Sequence, residues 1–215
     1  LVNEKSNKDY LIIIGAIGLI LSHTITTIYS AIFAILYLLF NYHIFKDKIF
    51  WKKIIIDIVI ILSVCAFYII PLLECKFSTE YVIYNQDRMN TYGIDVYEKT
   101  ASLNDLLGDE LLKTDNVVLS IGFVSIVLSL FSFICYKKID KSYKNFYITA
   151  LIFSVISLFM STQLFPWLVM PQILTIIQFA WRMLGYFIFF DAFICGVNAS
   201  IIADKVKSMK YIIIS

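Results

Sequence analysis

Only three prolines, seven glycines and two histidines occur in the 215 residues, and arginine is confined to Arg88 and Arg182. So little glycine and proline excludes collagen and Pro/Gly-rich disorder. Charged residues make up 16% of the chain, where a soluble domain carries about 25%. Eighteen basic residues against sixteen acidic ones leave a net charge of +2, which provides no basic face for nucleic acid. Cysteine is equally uninformative. Cys65, Cys135 and Cys195 lie in apolar runs and Cys75 stands alone in a polar stretch, so no disulfide framework is expected. His23 and His43 stand at no zinc spacing, and neither a glycine-rich phosphate loop, GxSxG nor HExxH occurs. What the chain has is hydrocarbon: 60% hydrophobic residues and a mean hydropathy of +0.82. Both values are displaced as lipid demands of a polytopic membrane protein.

The first residue is Leu1, and no small-residue cleavage site follows the first apolar run. The last residues, Tyr211-Ile212-Ile213-Ile214-Ser215, read as the opening turns of another membrane helix. The chain is therefore expected to be a piece of a longer protein.

Crossing a hydrocarbon core of about 30 Å takes roughly 20 apolar residues. Residues 54–71, 117–136, 146–162 and 183–203 come near that length and are apolar all round. The run 11–41 is too long for one span, and its polar centre SHTITT suits a surface turn. It predicts two short helices, 11–22 and 25–41. The expected fold class is thus all-α: a single membrane domain over 1–215 with about six membrane helices. Short lysine-rich segments at 42–53, 137–145 and 204–210 are expected on the cytoplasmic side. Segment 72–116, with nine acids against four bases, is expected as the extracytoplasmic loop. Trp51 marks the inner interface and Trp167 and Trp181 the outer one. Asp57 follows Lys53 by one helical turn, the spacing of an ion pair.

Two outer elements carry the candidate chemistry. In the loop, Ser102 with Asp105 three residues on predicts a capped short helix before LLGDELL. Tyr81, Tyr84, Tyr92 and Tyr97 either pack this loop or bind sugars. In the second element, Pro166 and Pro171 precede Gln172, Thr175, Gln178 and Arg182, which recur every three or four residues. That pattern predicts an interfacial helix over 171–182 with one polar stripe. An arginine at a membrane boundary matches phosphate, because its planar fork makes paired hydrogen bonds; snorkelling to headgroups is the alternative. Asp191 lies nine residues further, about 13 Å along a helix. A carboxylate at that depth is costly and marks a candidate functional site. Glu74 emerges at the same outer boundary and could pair with Arg182.

The pieces LSHTITTIYSAIFAILYLL (21–39), FYIIPLLE (67–74) and LFPWLVMPQILTIIQFAWRMLGY (164–186) occur in that order. They resemble bacterial polytopic membrane proteins labelled 6-pyruvoyl-tetrahydropterin synthase-related, which in turn resemble C-type glycosyltransferases. Pterin chemistry is not implied, since that soluble enzyme needs a three-histidine zinc site. The resemblance implies sugar transfer from a polyprenyl-phosphate carrier on the extracytoplasmic side, a lipid bilayer as surroundings and a divalent metal. The residues themselves identify no cofactor. The catalytic carboxylate of those transferases lies in a first outer loop upstream of anything present here. By resemblance Arg182 is the candidate contact for the lipid-linked phosphate, with Gln178, His23 and Glu74 beside it. The alternatives are a transporter or flippase using Asp191 as a proton or cation site, and a non-catalytic membrane subunit. Transporters tend to show internal repeats, and none is evident between the halves.

Overall fold

The computed structural model describes residues 9–77, 92–102, 106 and 121–214. Among these residues the regular structure is helical, apart from one parallel bridge between Ala101 and Thr162. The chain divides into two units, residues 1–90 and 91–215, where a single domain was expected.

The first unit contains α1 (Asp9–Ser22), α2 (Thr24–Phe40), a 3-10 turn (Tyr42–Lys46) and α3 (Lys48–Phe77). The run 11–41 breaks at His23, whose backbone is extended at φ −161° and ψ 112°. Its ring nitrogen Nδ1 accepts the Thr26 N–H at 3.3 Å. The imidazole thereby satisfies one of the N–H groups that the start of a helix leaves open. α1 packs along α3, and the hydroxyls of Thr24 and Tyr68 meet at 2.9 Å. At the far end of α2, Asn41 closes the helix, its amide donating to Tyr37 O at 2.9 Å.

α3 is longer than the expected 54–71. It begins at Lys48, where Asp47 Oδ1 accepts the Ile49 N–H at 2.8 Å as an N-cap. Trp51 pins the preceding turn, stacking on Phe45 at 5.5 Å and donating from Nε1 to Phe45 O at 3.0 Å. The helix continues through Pro71 to Phe77. Proline removes the N–H that would meet Phe67 O, a loss the flanking apolar turns tolerate. Residues 72–77 are therefore helix rather than loop, and exposed Glu74 rides on it.

The second unit contains α4 (Tyr92–Glu98), α5 (Phe123–Leu130), α6 (Ser132–Cys135) with a 3-10 turn (Tyr136–Lys138), and α7 (Lys141–Ser161). A 3-10 turn (Trp167–Val169), α8 (Gln172–Thr175), a further 3-10 turn (Ala180–Arg182) and α9 (Met183–Ile214) follow. α7 and α9 form its spine. Buried Ala150, Ser154, Ser157 and Ser161 recur along one face of α7. Such small side chains let helix backbones approach closely. Phe146 meets Phe193 edge-on at 4.9 Å, and Phe153 meets Phe190 at 5.3 Å. Tyr147, Ala150 and Ile194 form the buried cluster between them. Ser157 Oγ is buried with no hydrogen-bond partner among the described residues. An orphaned hydroxyl costs about 1–3 kcal/mol. Ser157→Ala is thus expected to raise stability by about 1 kcal/mol, read as a higher thermal midpoint of the detergent-solubilised chain.

Three further sequence expectations differ from the structure in this unit. The apolar run 117–136 is interrupted: α5 ends at Leu130, Phe131 intervenes and α6 is one turn long. Residues 117–120 lie outside the described residues. The single interfacial helix over 171–182 is replaced by α8, a sharp turn at Gln178 and a 3-10 turn. The helix expected at 183–203 continues to Ile214. Lys205, Lys207 and Lys210 therefore ride on a helix, and Tyr211–Ile214 continue it instead of opening another. After Gly196 the sequence has no glycine or proline, so nothing stops propagation. Tyr81, Tyr84, Arg88 and most of the helix expected after Ser102 lie outside the described residues. Of that helix, Leu106 N–H donates to Ser102 O at 3.2 Å.

Among the described residues, three helices are long and apolar enough to cross a membrane: Lys48–Cys75, Lys141–Ser161 and Ala180–Asp204. Only 6% of the apolar window of the first is buried by the rest of the chain, as a helix bathed in lipid requires. Tyr10–Ser22 and Thr24–Phe40 are apolar but shorter.

Candidate functional site

The site is built on the closed end of α7. A helix leaves its last four carbonyls without partners, and here each finds one. Ser161 Oγ donates to Leu158 O at 2.7 Å and Thr162 Oγ1 to Phe159 O at 2.8 Å. Trp167 Nε1 reaches Met160 O at 3.0 Å, and Ala101 N–H reaches Ser161 O at 2.8 Å. The last two bonds tie 99–102 and 162–169 to the same helix end. Trp167 is fully buried rather than interfacial, its ring 4.7 Å from Phe165. α4 packs on the Trp167–Val169 turn and on α8, with Val96 fully buried.

Over this platform two cations share one ring. Lys99 Nζ lies 4.5 Å from the centroid of Phe179, and the Arg182 guanidinium 4.6 Å from it. The ring's quadrupole attracts both. Phe179 N–H closes a three-residue turn onto Ile177 O at 2.8 Å, centred on Gln178 at φ 66°. A left-handed conformation at a non-glycine residue costs of order 1–3 kcal/mol and persists only when its surroundings enforce it. Arg182 supplies that enforcement. Its Nη1 donates to Ile177 O at 3.0 Å and to Gln178 Oε1 at 3.3 Å. Among the described residues no carboxylate pairs with Lys99 or Arg182.

A second polar group lies along α9. Asp191 is 4% exposed, and both its carboxylate oxygens accept serine hydroxyls, Oδ2 from Ser125 and Oδ1 from Ser129. Cys195 Sγ lies 3.5 Å from Asp191 Oδ2 and 3.6 Å from Ser125 O. One turn further, fully buried Asn198 donates from Nδ2 to Leu128 O at 2.8 Å and to Ser132 Oγ at 3.0 Å. Its Oδ1 accepts the Tyr147 hydroxyl at 2.7 Å.

Of the sequence candidates, Arg182 and Gln178 are thus in contact, and Asp191 lies further along the helix that Arg182 precedes. His23 caps α2 and Glu74 is exposed on α3, both in the first unit. Lys99 and Phe179 come from separate segments and share no local pattern, so the sequence does not single them out. Ser125, Ser129 and Ser132 against Asp191, Cys195 and Asn198 carried a usable signal. Both triplets repeat at i, i+4 and i+7 and so line one face of each helix.

No family model matches the chain, and no solved structure is similar to it. An uncharacterised protein of Lactococcus lactis subsp. cremoris (strain MG1363) is 30% identical over 174 residues. The match covers 77% of this chain, which spans only 27% of that protein's length.

Proposed function

We propose that the chain is the membrane-embedded part of an extracytoplasmic glycosyltransferase that takes its sugar from a polyprenyl-phosphate carrier. In this reading Arg182 and Lys99 bind the carrier's phosphate. The supporting observation is their convergence on Phe179 without a carboxylate partner among the described residues. Two cations over an apolar ring match a ligand with an anionic head and a hydrocarbon tail. Arg182 would stabilise the departing phosphate, because a guanidinium fork meets two phosphate oxygens at once. Gln178 orients that fork. The acceptor-activating base comes from elsewhere in the full-length protein. Among the described residues no three His, Cys, Asp or Glu side chains gather, so they do not assemble the divalent centre that the resemblance implies.

The topology proposed with this function has six membrane segments: α1, α2, α3, the interrupted α5–α6, α7 and α9. α1 and α2, at 14 and 17 residues, extend about 21 and 26 Å and serve as short spans. Lys141 and Lys144 stand at the start of α7 and the Lys99–Arg182 platform at its end, as cytoplasmic lysines and an outer site require.

Titration of the purified full chain with citronellyl phosphate, read by tryptophan fluorescence, tests the site, since Trp181 adjoins Arg182. Saturable binding is expected, with little response to citronellol, which lacks the phosphate. Arg182→Lys keeps the charge and loses the fork, and is expected to weaken binding about tenfold or more, since a charge-assisted hydrogen bond contributes ~1.5–3 kcal/mol. Equal affinity for the alcohol, or unchanged binding by Arg182→Lys, would remove the phosphate role.

A further inference from the structure

We infer that the Asp191 group is a binding site for a small monovalent cation, best matched to Na⁺, within the membrane-spanning part of α9. This inference does not depend on the carrier-phosphate reading, because the two residue sets share no member.

The starting point is charge. Asp191 is 4% exposed on a helix long and apolar enough to cross a membrane, nine residues from Arg182. An anion at that depth is costly unless it is neutralised. Its described neighbours are Ser125, Ser129 and Cys195, none of them cationic. A single carboxylate balances one positive charge, so a divalent ion would leave a net charge buried.

The donor set then selects among ions. Two carboxylate oxygens and two serine hydroxyls converge, with Ser125 O beside Cys195. A hydroxyl that donates to the carboxylate still has lone pairs for a cation. Such hard oxygen ligands suit alkali and alkaline-earth ions, while soft thiolate and imidazole sites select transition metals. Among the described residues no such soft cluster exists.

The backbone supplies an independent observation. α5 stops at Leu130 beside this group, and the chain restarts as α6 after Phe131. Phe131 N–H turns back to Leu128 O at 3.2 Å, and Leu128 O also takes the Asn198 amide. Interrupted membrane helices recur at cation sites because unwound backbone carbonyls can ligate the ion; here Leu128 O is already taken, and the carbonyl beside the Asp191 group is Ser125 O. Asn198, Ser132 and Tyr147 then fix the register of α9, and so the position of Asp191 against Ser125 and Ser129.

The test uses the full chain in detergent at constant ionic strength, with NaCl exchanged for choline chloride or KCl. The unfolding midpoint should rise with the logarithm of Na⁺ concentration once the site saturates, should rise less with K⁺ and should ignore choline. Asp191→Asn preserves the shape of the side chain and should abolish the Na⁺ response. Ser129→Ala removes one oxygen ligand and should raise the half-saturating Na⁺ concentration about tenfold, a readout that remains if Asp191→Asn fails to fold. A midpoint that follows pH and ignores Na⁺ would make Asp191 a proton site and overturn the inference. A midpoint indifferent to both would overturn it too, leaving a hydrogen-bonded helix clamp.

Discussion

Trp167→Ala is expected to destabilise the second unit by about 3–5 kcal/mol, the range for deleting a fully buried large aromatic side chain. Trp167 has 0% exposure, and the substitution removes both its contact with Phe165 and its bond to Met160 O. Met160 O belongs to the last turn of α7 and has no helical donor available. Losing Trp167 therefore opens a cavity and strands a carbonyl at the same place. Trp167→Phe refills much of the space without restoring the donor, so roughly 1–2 kcal/mol of the loss should persist. Chemical or thermal unfolding of the detergent-solubilised chain gives the two values. Because α4 packs on the Trp167–Val169 turn, Trp167→Ala should also loosen Lys99 over Phe179. Citronellyl phosphate binding should then weaken even under conditions where the chain is folded. Equal stability of the Ala and Phe variants would show that the ring's volume contributes little.

The second large effect is expected at Asn198. Asn198→Leu keeps the branching at Cγ and is more apolar, so a purely hydrophobic view of a membrane interior predicts a gain. The hydrogen bonds predict a loss instead. Leu128 O, Ser132 Oγ and Tyr147 OH all lose their partner at once. Interhelical hydrogen bonds in membranes contribute ~0.6 kcal/mol on average and up to ~1.7 each, so three together amount to about 2 kcal/mol at the average and about 5 at most. Tyr147→Phe removes one of them and should cost less than about 1 kcal/mol. The double variant should be less destabilised than the sum, since both changes break the same Tyr147–Asn198 bond. Unfolding free energies of the four proteins close this cycle. Strict additivity would mean that Tyr147 and Asn198 stabilise the bundle separately.

Composition and pattern carried the lipid-facing part of this protein. Long apolar runs with few charges can only be helices in a bilayer, because every backbone N–H and C=O must be satisfied within the segment. That constraint is local, so α3, α7 and α9 were legible from their residues. The break near His23 was legible for a related reason: a cluster of serine, threonine and histidine competes locally for backbone donors. Helix ends were less legible. The apolar run closes at Pro71, yet α3 passes through it, and the lysines after Asp204 suit a loop, yet α9 carries them. Proline and lysine at a boundary are each compatible with helix, and propensity alone does not choose.

The stripe of Gln172, Thr175, Gln178 and Arg182 has helical spacing without one continuous helix. There the left-handed turn at Gln178, braced by Arg182, prevails over the periodicity. Only the tertiary structure brings Lys99, from a segment more than seventy residues earlier, to the ring that Arg182 also covers. Only packing places Ser125 and Ser129 on both oxygens of Asp191. The physical reason is the range of the interactions. Solvation by lipid acts on each residue where it stands and is written into the order of the chain. Pairing of one charge or hydroxyl with another depends on which helix faces meet, and that is decided by small side chains and buried rings distributed over the whole second unit.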